Sequence, residues 1–380
     1  MSVRRLVGVP LAVLGALSLA CSGERPTAPS LTPPSFSSAS APAAAAASRF
    51  YQQHNLVSDG AVPADLVDPD LVNAWGLVSS ATSPFWVSDN GTDRSTLYNG
   101  KTGAKIALTV AVDGAPTGVV FNGGAGFVVS NGSASAAARF IFATEGGTIR
   151  GWNPGVAATQ AVVAVDSSGA GAVYKGLAIA ATAAGDRLYA TNFHAGRVEV
   201  YDAAFHAVPG GFSDPTLPSG YAPFGIRNLG GTIYVSYALQ DADQHDDVAG
   251  VGHGFVNAFD TQGNLLHRVA SRGRLNSPWG LAIAPADSFG QFNGNLLVGN
   301  FGDGHINAFD LGSSGGNGEL QQRGQLHSAD GQPLTIDGLW AIAFGNGAAA
   351  GPTTTLFFTA GPFGEQHGLF GTVVATTQPH

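Results

Sequence analysis

Four positions in the chain repeat one arrangement. Asp89, Glu145, Asn192 and Asn300 each follow a small or hydroxyl residue (Ser88, Thr144, Thr191, Gly299) and precede a glycine-containing turn. Two carboxylates and two amides around one point suit a hard cation, because Ca²⁺ takes about six to eight oxygens in irregular geometry and completes its shell with water. The same residues also read as turn formers, since Asn and Asp at strand ends hydrogen-bond their own backbone. Both readings stay open.

A second set mixes apolar platforms with polar groups, the usual composition of a ligand site. Trp75, Phe224, Trp279 and Trp340 stand at equivalent places of a repeat, either as a stacking platform or as packing wedges between neighbouring units. Lys175 fills the same slot, as a reactive amine or as half of an ion pair. His194, His305 and His367 each follow a turn, where an imidazole is a ligand or simply solvated. His245 sits in DADQHDD, Asp241 to Asp247, which holds four carboxylates in seven residues but lacks the glycine and terminal glutamate of an EF-hand loop.

Other chemistries find no support. HExxH, the phosphate-binding GxxxxGK[ST] and CxxC are all missing from the sequence. The formal net charge is -9 and there are three lysines, Lys101, Lys105 and Lys175, so no basic stripe exists for counterion release and nucleic acid is excluded as a partner.

The elements that must position these residues are strands. Charged residues make up 11% of the chain and glycine occurs 54 times without a three-residue period, a composition that fits an all-β fold with many turns. A short apolar strand recurs six times, as WGLV, PTGVVF, KGLAIA, PFGIRN, PWGLAIA and LWAIAF. Its small residues are Gly76, Gly118, Gly176, Gly225, Gly280 and Ala341, at spacings of 42, 58, 49, 55 and 61. Each unit continues in phase with a second strand, a turn and a third strand such as RVEVYD or HINAFD. Two β-sandwiches would not produce six units in phase, whereas four-stranded propeller blades would. The fold class is therefore all-β, a single six-bladed β-propeller. Only two strands follow Leu339, around Leu356 and Leu369, so the segment from Tyr51 to Ser58 is expected to complete the last blade.

Three regions are expected: a signal peptide over 1–20, a Pro/Ala/Ser tether over 21–50 and the propeller over 51–380. Arg4 and Arg5 precede an apolar run from Leu6 to Leu19 that is too short to span a bilayer. Ala20 and the only cysteine, Cys21, then resemble a lipoprotein cleavage site, with Cys21 as the lipidated residue; an ordinary secretory cut nearby is the alternative. The tether holds too little apolar surface to offset its ordering entropy.

Long stretches of the propeller resemble a known family. NLVSD at Asn55, LVNAWGL at Leu71, FWVSDNGT at Phe85, ARFIFATEGGTI at Ala138, GWNPGV at Gly151, GYAPFGI at Gly220, YALQDADQHDDVAG at Tyr237, NSPWGLA at Asn276, VGNFGDG at Val298, IDGLW at Ile336 and LFFTAGP at Leu356 are similar to an uncharacterised family of exported bacterial proteins. The resemblance covers residues 51 to 374 and implies a six-bladed propeller of the NHL or TolB-like kind, with no activity attached. Many members carry a PEP-type C-terminal sorting tail, to which VVATTQPH does not correspond; the N-terminal lipid signal is expected in its place.

In a propeller, the loops that lead into each innermost strand and those that leave each second strand share one face. That face gathers Asp70, Asn73, Trp75, Lys175, Tyr221, Phe224, Trp279, Asp337 and Trp340 from the first set. From the second it gathers Asp89, Asn90, Glu145, Asn192, His194, Gln240, His245, Asp246, Asp247, Asn300, Asp303, His305, Glu365 and His367. Two functions remain. One is a lipid-anchored monomeric binding or scaffold module of the cell envelope, on its periplasmic or outer face, or secreted if Cys21 is not lipidated, that holds a protein, glycan or small ligand. The other is a Ca²⁺-dependent hydrolase or lyase with an axial site. Whether the chain is an enzyme stays open at this stage.

Overall fold

The computed structural model describes residues 48–315 and 318–377. The signal peptide, nearly all of the tether and Cys21 lie outside the described residues. Five blades are four-stranded antiparallel sheets with innermost strands Ala74–Val78, Pro116–Phe121, Tyr174–Thr182, Tyr221–Leu229 and Pro278–Ile283. The sixth is built on Leu339–Phe344, Leu356–Ala360 and Leu369–Thr376, and the N-terminal strand Phe50–Ser58 completes it. That strand runs antiparallel to Leu369–Thr376, from Phe50 opposite Thr376 to Ser58 opposite Leu369. Leu66–Val67 adds a short parallel edge outside it. The expected closure is therefore observed, with Tyr51 and Val57 buried and the Tyr51 hydroxyl donating to the Phe289 carbonyl of blade 5 at 3.0 Å.

The repeated glycine has a steric cause. A Cβ on Gly76 would strike the carbonyl of Thr117, on Gly118 the backbone at Leu177, and on Gly225 the carbonyl of Trp279. On Gly176 it would come within 2.8 Å of the Phe224 carbonyl, and on Gly280 within 2.6 Å of the Trp340 carbonyl. In five blades the innermost strand thus passes so close to the next that a side chain is excluded, and blade 6 carries the small Ala341 at this place.

In blades 3 and 6 the hydroxyl residue at the end of the second strand holds this contact in place. The innermost strand is bulged there in all six blades, for example between Tyr174 and Gly176 and between Pro223 and Ile226. Thr191 Oγ1 accepts the Gly176 N–H at 2.6 Å and donates to the Phe224 carbonyl of the next blade at 2.8 Å. Thr359 Oγ1 accepts the Ala341 N–H at 3.1 Å and donates to the Trp75 carbonyl at 2.5 Å, joining blade 6 to blade 1. Ser236 Oγ accepts the Gly225 N–H at 2.9 Å. A bulge leaves ladder groups unpaired, and Thr191 and Thr359 satisfy them while reaching across the gap, whereas Ser88 Oγ has no partner among the described residues, Thr144 bonds Thr148 in its own turn and blade 5 has Gly299 there.

Candidate functional site

The four tryptophan and phenylalanine positions are buried, with Trp279 the most open at 9% exposure. They come from blades 1, 4, 5 and 6 and meet on the axis, instead of wedging neighbouring blades apart. Trp75 stacks on Trp340 at 3.5 Å between centroids, Trp279 meets both edge-on, and Phe224 packs against Trp340 at 5.8 Å. Phe301, from the turn after the second strand of blade 5, stacks on the other face of Trp340 at 3.9 Å. Together they form an aromatic plug across the propeller.

Over this plug, at the end where the innermost strands begin, runs a connected arc of polar side chains from five blades. Trp340 Nε1 donates to Asn73 Oδ1 at 3.0 Å, and Asn73 Nδ2 donates to Glu365 Oε2 at 2.8 Å and to Asn90 Oδ1 at 3.1 Å. Asn73 is held at φ 47°, a left-handed conformation that asparagine tolerates better than most residues. Asn90 Nδ2 donates to Glu145 Oε2 at 2.8 Å. Lys175 Nζ then bridges Glu145 Oε1 and, at 3.1 Å, Asp246 Oδ1, which also bonds His245 Nδ1 at 2.9 Å. The chain of contacts runs Glu365, Asn73, Asn90, Glu145, Lys175, Asp246, His245.

Lys175 is the hub. Its side chain is 2% exposed and its ammonium lies 5.2 Å from the Trp75 ring centroid, within cation–π range. Burial alone would lower its pKa, but the Glu145 and Asp246 carboxylates outweigh burial and hold it above the ordinary lysine value. It is an ion-paired ammonium, and neither a free nucleophile nor a base at neutral pH. Burial likewise pushes at Asp246, where Lys175 prevails and holds the carboxyl below its usual range. Glu365 and Asp247 go the other way: burial raises both, with Glu145 adding to the rise at Glu365.

The remaining sequence candidates lie apart from this arc. Asn192 donates to Glu199 Oε1 at 3.0 Å and accepts the Ala195 N–H of its own turn at 3.1 Å. Asn300 donates to the Arg274 carbonyl at 2.8 Å and to Asp303 Oδ1 at 3.0 Å. Asp89 is fully buried without a hydrogen-bond partner for either oxygen; burial pushes its carboxyl well above the usual range, offset in part by Thr96. Asp89, Asn192 and Asn300 are thus engaged or enclosed within their own surroundings, and of that foursome Glu145 alone joins the arc. His305 pairs with Asp303 at 3.4 Å, and His194 is half-buried beside its turn. His367 Nδ1 bonds Asp59 Oδ2 at 2.6 Å, tying the last blade to the segment that follows its closing strand.

Asn73, Asn90, Asp246 and Glu365 connect the arc; Asp246 lies in the acidic DADQHDD segment, while the other three have an unremarkable turn context and their strand-end positions are the signal that places them on this face. Among the described residues, the carboxylate and imidazole group compact enough to share a cation is Glu145, His245 and Asp246, whose ligand atoms lie within 4.8 Å of one another. Lys175 already bridges its two carboxylates, so Ca²⁺ does not fit there unless the ammonium moves or loses its proton.

No family model matches the chain. It is 34% identical over 302 residues to "Uncharacterized protein R648" of Acanthamoeba polyphaga mimivirus, covering 76% of this chain and 72% of that protein. It is 35% identical over 303 residues to "Uncharacterized protein L690" of the same virus, covering 76% and 77%. Both relatives are viral and lend no support to a bacterial source or a sorting tail. Among solved structures, a structural genomics protein of unknown function from Bacteroides thetaiotaomicron superposes with a TM-score of 0.51 at 13% identity, over 85% of this chain and 76% of that one. At that identity the likeness concerns the propeller fold alone.

Proposed function

The chain belongs to the protein family of mimivirus R648 and L690, and since those names carry no activity we propose from the site itself that it is a binding module for a cationic, protein-like ligand. The connected arc is the observation that carries this reading. Its carboxylates, Glu145, Asp246 and Glu365, outnumber its one ammonium, Lys175. Beside it the loop 242–246 is exposed and acidic, and Phe363, 58% exposed, offers an apolar contact next to His367. An acidic rim around exposed apolar groups favours a basic peptide segment by charge complementarity.

Tethering follows from Cys21. Diacylglycerol plus an N-acyl chain supply the two anchors that stable membrane attachment needs, so the propeller is held at the cell envelope with its loop face available. A Cys21→Ser chain should move from the membrane fraction to the soluble one; recovery in the membrane would remove the lipid anchor from this reading.

The catalytic alternative, a Ca²⁺-dependent hydrolase or lyase, would have to draw on Glu145, His245 and Asp246. The bridging ammonium of Lys175 weighs against it. Titration with an arginine- and lysine-rich peptide, against an acidic peptide of the same length, tests the binding reading. The basic peptide should bind at low salt and weaken steeply with ionic strength, and Asp243→Asn with Asp246→Asn should weaken it further. Equal binding of the two peptides would overturn it.

A further inference from the structure

The other end of the axis holds a different kind of site. Beneath the aromatic plug the innermost strands of all six blades enclose a cavity of about 230 Å³. Its lining is mixed, with Leu77, Val119, Leu177, Ile226, Leu281 and Trp279 beside Ser79, Gly76 and Gly118. Half-exposed Val78, Phe121, Ile179 and Asn228 ring its mouth at the strand ends. One charged side chain lines it, Arg227.

Arg227 is short of partners. Its Nη1 donates to the Ile342 carbonyl at 3.0 Å. A guanidinium has five N–H donors in a planar fork, so one bond leaves most of the fork to be satisfied from the cavity. Arg227 is half-buried with no carboxylate beside it, and the desolvation it does suffer lowers its pKa to about 10 and still leaves it charged at neutral pH. A half-buried guanidinium with one carbonyl partner keeps donors free for an anion that enters the cavity. Among the described residues no carboxylate pairs with Arg227, while at the opposite end of the same axis Lys175 has two.

We infer that this cavity is a binding site for a small organic carboxylate, its anionic end on Arg227 and its apolar body against Trp279 and the aliphatic walls. The guanidinium fork matches a carboxylate with two parallel hydrogen bonds. The size is consistent: an apolar cavity of about 150 Å³ already admits benzene, so 230 Å³ takes a ring of that size with a carboxylate attached. The site is separated from the acidic arc by the plug and does not depend on the function proposed for that arc.

Calorimetric titration and thermal melts of the purified chain with benzoate, its neutral isostere benzamide and inorganic phosphate test this. Benzoate should bind and raise the melting temperature, with benzamide at least tenfold weaker because it lacks the charge. Phosphate should also be weaker, because it has no apolar body. Arg227→Met should remove the preference for benzoate, and Arg227→Lys should keep part of it. Asp246→Asn, on the far side of the plug, should leave benzoate binding unchanged. No benzoate binding at millimolar concentration, or equal binding of benzoate and benzamide, would overturn the assignment. Phosphate matching benzoate would overturn the apolar half of it. The benzoate and benzamide contrast is read on the unaltered protein, so it decides the case even if the Arg227 variants fail to fold.

Discussion

The two ends of the propeller axis are lined by the same six strands and differ in what those strands carry. Where the strands begin, loops bring in Asn73, Asn90, Glu145, Asp246 and Glu365, and the one buried cation, Lys175, bridges two carboxylates. Where the strands end, the lining is strand side chain, and the one cation, Arg227, has a single carbonyl. The stacked Trp75 and Trp340 lie between them. A symmetric scaffold thus gives one end that answers its own charges and another that leaves a charge for a ligand.

The largest expected effect removes both ends together. Deleting residues 50–58 takes away the closing strand and exposes two sheet edges. Circular dichroism should show a loss of several kcal/mol, a large share of the ~5–15 kcal/mol that holds a typical domain folded. A deletion variant that melts like the intact chain would show that the ring closes by another route.

Next in size is the plug. Trp340→Leu removes a buried ring stacked on both Trp75 and Phe301, at a cost of ~3 kcal/mol or more in a chemical melt. It also withdraws the Nε1 donor from Asn73, so binding at the arc should weaken while Arg227 keeps its carbonyl partner. Equal loss at both ends would mean that the plug does not insulate them.

How far these regions can be read from the sequence depends on the reach of the interaction that defines each. The glycine repeat is legible because a steric exclusion at Gly118 or Gly225 leaves one residue type. Closure is legible because the last blade comes up one strand short. The hydroxyl stitch is not, since Thr191 finds its partner in Phe224, 33 residues on in the next blade, and beside Asn192 it looks like the flank of a ligand. Arg227 is hidden for another reason. The bulge between Pro223 and Ile226 shifts the strand's register, so period-two alternation does not say which way the side chain faces. Lys175 was legible as an ion-pair candidate because it interrupts an aromatic slot, while the carboxylates that meet it lie 30 and 71 residues away.

A smaller contrast separates the two partners of Lys175. Glu145 is 16% exposed and Asp246 64%. Glu145→Gln should therefore cost ~2 kcal/mol, because it leaves a buried ammonium with only a solvated partner. Asp246→Asn should cost under ~1 kcal/mol, as for a surface pair. Equal losses in urea melts would mean that Asp246 shares the burial of the hub.

The smallest effect is a dependence on pH, and it sharpens the contrast between the ends. Burial, and then the charge on Glu145, raise the Glu365 carboxyl above its ordinary value, while Asn73 and Lys175 pull it back in part. Between the unfolded and folded pKa values the folded chain binds more proton at this group. Its contribution to stability therefore falls as pH rises through that window and returns on acidification. Asp246, held low by Lys175, has the opposite sign: its contribution is lost as pH falls through its folded pKa. Glu365→Gln keeps an acceptor for Asn73 and removes only the first effect. Relative to that variant, the unaltered chain should gain stability as pH drops from neutral toward the ordinary glutamate range, by on the order of a degree or two in Tm. A flat difference would mean that Glu365 does not retain its proton on folding. Arg227 shows no comparable dependence there, because a group with a pKa of about 10 stays charged throughout. Benzoate, ionised above the ordinary carboxylate range, should bind equally well across that range if the two ends are as separate as the plug makes them.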